Sequence, residues 1–310
     1  MVEKANEVIN EVKKVISGKD EIIKKVLMVF IAGGHILIED VPGVGKTTLA
    51  LAFSRAMNLE YRRVQFTSDT MASDIIGFSI YNRKTESFDY QPGAAFCNLL
   101  LGDEINRTSP RTQAALLEIM EERRVTVDGI TRPLPDPFIC IATQNPYGSA
   151  GTQLLPDSQL DRFMVRLSMG YPSMENQIDI VKNRVLSDPL DSVIHVASTR
   201  DLLEMQRIVK EVYISDDVIQ YATKLCEATR SHEDITLGVS PRAVLALTQL
   251  AKTHAFLSQR NFTIPEDIKE VFVDVCCHRL VLTARAKVKN ISPEQILVSI
   301  LEDITAPTIS

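Results

Sequence analysis

The chain has 310 residues, of which 45% are hydrophobic and 24% charged, so it can bury the core of one large domain or two modest ones. Its formal net charge of −6 argues mildly against a dedicated nucleic-acid binder, because such proteins usually carry a basic excess. The N-terminus is charged from Glu3 onward, and the longest apolar run, 26–38, is interrupted by Gly33 and Gly34, so we expect a cytoplasmic protein without a signal peptide or membrane insertion.

The first half of the chain alternates helical patterns with short apolar strands. Valine and isoleucine repeat at helical spacing from Val8 to Ile16, and a second helix, which Asp20 is expected to cap, ends at Gly33. Residues 35–39 form the first predicted strand, and further strands are predicted at 61–66, 98–101, 138–143 and 165–167. Because helical patterns separate several of these strands, we predict an α/β fold with a parallel sheet.

The second half of the chain is predicted to be helical. From about Ser198 onward no strand pattern is convincing. Three helices share a Ser-Pro start, in which serine caps free N–H groups and proline fits the first helical position; they are predicted at Ser109, Ser240 and Ser292. We therefore predict an α/β core at 1–187, a linker at 188–198 and a helical domain at 199–310.

A glycine-rich segment, 40–48 (Asp-Val-Pro-Gly-Val-Gly-Lys-Thr-Thr), follows the first strand. Between a strand and a helix, such a turn points backbone N–H groups at bound phosphates, and the helix dipole favours negative charge there. Lys46 is expected to contact the β- and γ-phosphates of ATP, and the Thr47 hydroxyl to ligate Mg²⁺. Asp40 stands where the strict pattern has glycine, so we expect its carboxylate to turn away from the loop. The strand–loop–helix context disfavours the alternative, a glycine turn with a chance lysine.

Two adjacent carboxylates, Asp103 and Glu104, follow the apolar strand that begins at Asn98. The carboxyl ends of strands are where α/β sheets bind ligands. Asp103 is expected to hold Mg²⁺ through water, and Glu104 to orient and polarise the attacking water. The alternative is a solvated acidic turn, which the preceding phosphate loop makes the weaker interpretation.

Three further polar residues stand out downstream. Asn145 follows the next strand and can hydrogen-bond the γ-phosphate or the water, although an asparagine before Pro146 also suits a simple turn. Arg162 could pair with Asp161 on the surface, which is the commoner fate of an arginine. Arg242 lies in the first turn of a predicted helix, where the dipole disfavours a cation, so either a bound anion or a solvated side chain would explain it.

These motifs stand in one order, VPGVGKTT, LLLGDEINR, ATQNP, QLDRF and GVSPRA, and that order resembles the AAA+ superfamily and specifically its MoxR family. The resemblance covers nearly the whole chain. It implies a core of five parallel strands followed by an all-helical lid, with ATP bound between them, and a homo-oligomeric ring that is usually hexameric. The chain departs from the family pattern at Asp40 and Gly102, and ATP hydrolysis is still implied.

The resemblance also assigns roles to single residues. Asn145 resembles sensor 1, Arg162 the arginine finger given to a neighbouring subunit, and Arg242 sensor 2, acting on its own site or a neighbour's. With Glu104, these form the expected catalytic set, while 15–18 is similar to the segment that flanks the adenine. The residues expected to contact ATP are Ile16, Gly18, Pro42, Gly43, Val44, Gly45, Lys46, Thr47 and Thr48, and those expected at Mg²⁺ are Thr47 and Asp103.

Two segments resemble inserts of this family. Residues 78–90 alternate and turn like the helix-2 insert hairpin, and 124–132, with Asp128-Gly129 as its turn, resemble the hairpin before sensor 1. We expect both hairpins to project from the core and to contact a client or line a pore. Ordinary surface hairpins are the alternative.

The resemblance favours a chaperone-like ATPase that remodels or matures a protein complex, often with a von Willebrand factor A domain partner. A chelatase motor subunit, which inserts a metal into a tetrapyrrole, and a nucleic-acid motor are alternatives from other functional classes. The chain has no basic tract or zinc module, so nucleic acid is an unlikely partner. A nucleotide-gated scaffold without activity is a third alternative, and intact Lys46, Asp103, Glu104 and Asn145 argue against it.

Overall fold

The computed structural model describes residues 1–145, 155–186 and 188–308. The first part of the fold is an α/β unit whose elements, in chain order, are α1 (Val2–Lys13), α2 (Asp20–Ala32), β1 (Ile36–Glu39), α3 (Lys46–Ala56), β2 (Tyr61–Gln65), α4 (Ala72–Ile76), β3 (Phe78–Asn82), β4 (Ser87–Gln91), β5 (Leu99–Asp103), α5 (Pro110–Glu122), β6 (Arg124–Val127), β7 (Ile130–Pro133), β8 (Ile139–Gln144), α6 (Asp157–Leu160), β9 (Val165–Leu167) and α7 (Met174–Leu186). This alternation confirms the α/β class.

A second group of elements follows and is mainly helical. It comprises α8 (Thr199–Glu211), α9 (Asp216–Ser231), β10 (Ile235–Leu237), α10 (Pro241–Leu257), α11 (Pro265–Cys276), β11 (Val281–Leu282), α12 (Ala284–Val288) and α13 (Pro293–Asp303). The expectation of no strand in this half was wrong, since β10 and β11 pair antiparallel. The bounds of the predicted core, linker and helical domain stay a prediction.

The central sheet has five strands in the order β2-β5-β8-β1-β9, and all of its pairs are parallel. Side chains alternate between two apolar layers. Ile36 and Ile38 of β1 join one buried cluster, whereas Leu37 between them joins the other. Both faces of the sheet are therefore covered, as a parallel sheet requires, and the five-stranded core implied by the resemblance is confirmed.

Helix starts follow the predicted chemistry in three cases and depart from it in one. The hydroxyls of Ser109, Ser240 and Ser292 each accept a hydrogen bond from a backbone N–H in the first turn of the following helix, and proline occupies that turn. Asp20 does not cap α2, because Lys19 is the N-cap residue and Asp20 already lies within the first turn. There its negative charge interacts favourably with the positive end of the helix dipole.

Both predicted hairpins are present. β3 pairs antiparallel with β4, and β6 with β7. Asp128 and Gly129 both have positive φ angles, 53° and 75°, which is the geometry of a tight hairpin turn. Among the helices of the described residues, none is long and apolar enough to cross a membrane.

Candidate active site

The phosphate loop joins β1 to α3 at the carboxyl edge of the sheet. Helix α3 begins at Lys46, and its N-cap residue Gly45 has a φ of 98°, a conformation that favours glycine. The loop therefore leads directly into a helix N-terminus, which concentrates unpaired N–H groups and positive partial charge. One oxygen of the Asp40 carboxylate accepts hydrogen bonds from the chain after β9, and the other accepts from the N–H of the adjacent Val41, in agreement with the expectation that the carboxylate turns away from the loop.

Lys46 lies inside this loop. Its Nζ donates to the backbone oxygen of Asp40 at 2.8 Å and to that of Val41 at 3.4 Å. Partial burial lowers the pKa of the Lys46 amine, and the negative charges of Asp103, Asp40 and Glu104 oppose that shift. The amine is thus close enough to Asp103 and Glu104 for their charges to raise its pKa. Among the described residues, no carboxylate is its direct hydrogen-bond partner.

Asp103 and Glu104 are held by Thr143 of β8. The Thr143 hydroxyl donates to Asp103 Oδ1 at 2.6 Å and accepts from the Glu104 N–H at 2.9 Å. Glu104 has a φ of 57°, in the left-handed region that non-glycine residues seldom adopt. Thr143 is fully buried, so it fixes the backbone and one carboxylate of the acidic pair from the neighbouring strand.

Strand β2 and the turn after β5 add residues that sequence reasoning missed. Arg63 Nη2 donates to Asp103 Oδ2 at 2.8 Å, and Gln65 Nε2 donates to Glu104 Oε2 at 3.0 Å. Arg107 Nη1 donates to the same Glu104 oxygen at 2.7 Å. The alternation in β2 places Arg63 and Gln65 on one face, which is a detectable signal, but only the pairing of β2 with β5 shows that this face meets the acidic pair.

Asn145 directly follows β8, which lies between β5 and β1 in the sheet. Its position therefore falls between the acidic pair and the phosphate loop. The backbone oxygen of Asn145 accepts from Asn106 Nδ2 at 3.3 Å. Among the described residues, the buried oxygens Asn106 Oδ1 and Gln144 Oε1 have no hydrogen-bond partner, so both could accept a hydrogen bond next to Asn145.

A cleft beside the phosphate loop carries the residues expected at the adenine. Ile16 lines it together with the loop residues Gly43, Val44, Gly45 and Thr48. The cleft is also lined by residues that the sequence did not single out: Met169, Pro172, Ile180, Asp188 and Pro189. Gly18 lies between two residues that line the cleft; it has a φ of 69°, and a Cβ there would come within 1.9 Å of the Asn176 side chain, so glycine permits close packing at this point, and its contact with ATP stays a prediction.

The donor set at the loop suits ATP with Mg²⁺. Thr47 offers a hydroxyl in the first turn of α3, and Asp103 offers a carboxylate close enough to Lys46 for its charge to raise the pKa of that amine. Mg²⁺ prefers such oxygen ligands and usually keeps several waters. Together with the glycine-rich turn, these groups fit a magnesium–triphosphate pair.

Arg162 and Arg242 lie away from this loop, at the amino edge of the sheet. Arg162 precedes β9, and β9 runs parallel to β1 with Val165 opposite Ile36, so Arg162 lies at the end of the sheet where β1 begins. Arg162 Nε is 3.4 Å from Glu121 Oε2, and Arg242 pairs with the other oxygen of Glu121. The structure therefore brings the two arginines together on one carboxylate of α5 and separates them from the chain's own phosphate loop.

Asp161 does not pair with Arg162, so that alternative was wrong. The Asp161 carboxylate accepts from Arg279 Nε at 2.7 Å and from the Ser240 hydroxyl at 2.9 Å. The Arg279 side chain is only 3% exposed and also donates to the backbone oxygen of Phe163 at 2.7 Å. This buried contact fastens the helical half to the segment that carries Arg162.

Comparisons with known proteins agree with this architecture. The model of the "ATPase family associated with various cellular activities (AAA)" matches residues 35–165, and the "AAA lid domain" model matches 227–300. The chain is 42% identical over 299 residues to protein YeaC of Bacillus subtilis, covering 96% of this chain and 93% of that relative. It is 38% identical over 309 residues to chaperone MoxR1 of Mycobacterium tuberculosis, covering 97% and 81%.

A more distant relative and a solved structure extend this agreement. Protein MoxR of Methylorubrum extorquens is 28% identical over 325 residues, covering 96% of this chain and 93% of its own. The crystal structure of a candidate ATPase from Cytophaga hutchinsonii is 37% identical, covers 99% of this chain and 96% of its own, and superposes with a TM-score of 0.93. With its phosphate loop, acidic pair and helical lid, the chain belongs to the MoxR family of AAA+ ATPases.

Proposed function

We propose that this protein hydrolyses ATP to ADP and phosphate and uses the energy for chaperone-like remodelling of a protein complex. One observation carries the proposal of hydrolysis. Lys46, Asp103, Glu104 and Asn145 follow or end three adjacent strands, β1, β5 and β8, and so converge on one point at the carboxyl edge of the sheet. That edge is where α/β sheets bind their ligands.

Each residue at this point has a distinct role in the proposed reaction. The loop N–H groups and Lys46 would hold the β- and γ-phosphates, and Thr47 and Asp103 would hold Mg²⁺, which neutralises charge on the phosphate oxygens. Glu104 would accept a proton from the attacking water, and Asn145 would orient that water or the γ-phosphate. Gln65 and Arg107 both donate to Glu104 Oε2, so they would set the direction of its other oxygen.

Two substitutions test the proposed chemistry. Lys46→Ala should lose ATP binding, because the charge of the β- and γ-phosphates is no longer compensated. Glu104→Gln should bind ATP and stall hydrolysis, because an amide is a poor base. The matched control is Glu122→Gln, an exposed glutamate at the end of α5. Nucleotide titration and phosphate release would be measured for all three, and near-normal turnover in Glu104→Gln would exclude its assigned role.

We also propose that Arg162 serves a neighbouring subunit in a ring, which the family resemblance implies is hexameric. Its position at the amino edge of the sheet supports this, because the chain's own phosphate loop lies at the opposite edge. Arg242 pairs with the same Glu121 carboxylate as Arg162, which supports the proposal that both arginines act on the site of a neighbouring subunit. Their pairing with Glu121 would have to give way before either could reach a phosphate.

A protein is the proposed client, and a von Willebrand factor A domain protein is one candidate. The two hairpins support a client surface, since they border a groove of about 1040 Å³ whose walls include Phe78, Phe88 and Ile130, with residues 68–73 and 109–112 forming the rest of its lining. All three side chains are exposed, Phe88 by 71%, and clustered exposed apolar side chains are typical of binding surfaces. The name of one relative, chaperone MoxR1, is consistent with this role.

The client can be sought with the Glu104→Gln variant, which should hold ATP and therefore retain whatever it binds in the ATP state. Proteins recovered with this variant, and missing from a parallel experiment with Lys46→Ala, are candidate clients. A nucleic-acid motor would instead show binding of DNA or RNA that weakens steeply with salt in a filter-binding assay.

A further inference from the structure

Asp40 is the residue at which this chain departs from the strict phosphate-loop pattern, and its side chain is almost fully buried, with 7% exposed. It follows β1 and begins the loop. Burying an ionised carboxylate costs free energy unless hydrogen bonds replace its water. The contacts of Asp40 therefore show where that compensation comes from.

The compensation comes from residues just after β9. Asp40 Oδ2 accepts from the Met169 N–H at 2.5 Å, from the Gly170 N–H at 2.8 Å and from the Ser168 hydroxyl at 3.1 Å. Its other oxygen accepts from the Val41 N–H at 3.1 Å. Hydrogen bonds to an ionised acceptor are about twice as strong as neutral ones, so this carboxylate ties the start of the phosphate loop firmly to residues 168–170.

Residues 168–172, which we call the base-side segment, form part of the cleft next to the loop. Met169 and Pro172 line that cleft, and Met169 Cε lies 3.8 Å from the position a Cβ would take on Gly45. Lys19 Nζ donates to the backbone oxygen of Tyr171 at 3.0 Å. The segment is thus fastened by Asp40 at one end and by Lys19 near the other.

We infer that Asp40 is a positioning residue that sets the base-side segment against the phosphate loop, so that it contributes to affinity for the adenosine part of ATP rather than for the phosphates. The inference rests on the proposed ATP site. Glycine at this position would leave the N–H groups of Met169 and Gly170 without the carboxylate and would release the cleft wall. Asp40 would act through Met169 and Pro172 without touching the nucleotide.

The test compares ATP with inorganic tripolyphosphate, which presents the phosphates without a base or ribose. Affinities of both ligands, with Mg²⁺, would be measured by calorimetry for the wild type, Asp40→Asn and Asp40→Gly. We expect ATP affinity to fall about tenfold or more, on the scale of a lost hydrogen bond to a charged group, while tripolyphosphate affinity is unchanged or rises because a negative charge has been removed. In steady-state assays, KM for ATP should rise more than kcat falls.

Controls separate the possible results. Asp217→Asn, an exposed change on α9, should alter neither affinity. Equal losses for ATP and tripolyphosphate would mean that Asp40 supports the phosphate loop itself and would overturn the inference, as would unchanged ATP affinity. If the Asp40 variants fail to fold, Ser168→Ala removes a hydroxyl that donates to Asp40 Oδ2 and does not line the cleft, and it should shift the ATP-to-tripolyphosphate ratio in the same direction; an unchanged ratio would then overturn the inference. Failure of the wild type to bind ATP would refute the proposed function first.

Discussion

Mixing Arg162→Ala with Lys46→Ala tests whether Arg162 acts across a subunit boundary. Arg162 lies near the start of β1, and the phosphate loop begins after its end; the five residue steps from His35 to Asp40 correspond to roughly 16 Å along a strand. An arginine side chain is much shorter than this, so Arg162 should not reach its own loop. Removing an arginine finger lowers the rate of phosphoryl transfer by on the order of 10³–10⁵, so each variant alone should be nearly inactive.

The expected recovery in mixed rings follows from their geometry. In an equal random mixture, about half of the subunits keep Lys46 and about half of their neighbours keep Arg162, so about a quarter of the wild-type activity should return in a head-to-tail ring of any size. Phosphate release measured against the mixing ratio gives this value. Replacing Arg162→Ala by Arg207→Ala, an exposed change on α8, should raise recovery to about half, because only intact phosphate loops then limit activity.

Two results would refute the trans role. One is no recovery although differently tagged subunits copurify, which would show that mixed rings form and remain inactive. The other is a wild-type specific activity that does not fall on dilution to the monomer. Either result would return Arg162 to a structural role as a partner of Glu121.

Three further predictions concern other parts of the molecule. The same mixing experiment with Arg242→Ala should also restore activity, and no recovery would mean that Arg242 acts on its own subunit. Shortening hairpin 78–90 to a Gly-Ser turn should spare basal ATPase activity and reduce any client-stimulated rate, whereas loss of the circular dichroism signal would show that the hairpin is part of the core. Burial lowers the pKa of His35 from 6.5 to about 4, so as the pH falls this imidazole is protonated in the unfolded chain before it is protonated in the folded protein. The free energy of unfolding therefore has its full value well above pH 6.5 and is lower by roughly 2 kcal/mol at about pH 5. Urea titrations at both pH values should show a smaller loss in His35→Gln.

The parts of the site that are continuous in sequence were predictable. The phosphate loop, the acidic pair and Asn145 each follow a short apolar strand, and a parallel sheet brings the ends of such strands to one edge. The Ser-Pro helix starts were predictable for a similar reason, since serine and proline act within one helical turn.

Contacts between distant segments were not predictable. Glu121 precedes Arg162 and Arg242 in sequence by 41 and 121 residues, counting from their numbers, and only tertiary packing brings the three together. Arg279 was not singled out at all, because a lone arginine in a helical region is interpreted as a surface residue until its burial is known. Strands β10 and β11 were missed because two or three residues are too few to show a period of two.

Because Asp161 pairs with the buried Arg279, mutations of Asp161 and of its neighbour Arg162 should be inherited in opposite ways. Loss of the Asp161 carboxylate leaves the buried Arg279 cation unpaired, which costs about 3–5 kcal/mol, a large part of the stability of an ordinary domain. Such a chain should be degraded, and a second, normal copy of the gene should mask the defect. A chain without Arg162 loses only a partly exposed ion pair, so it should fold, enter the proposed rings and disable the neighbour that depends on it. Mutations at position 162 should therefore be dominant, and those at position 161 recessive.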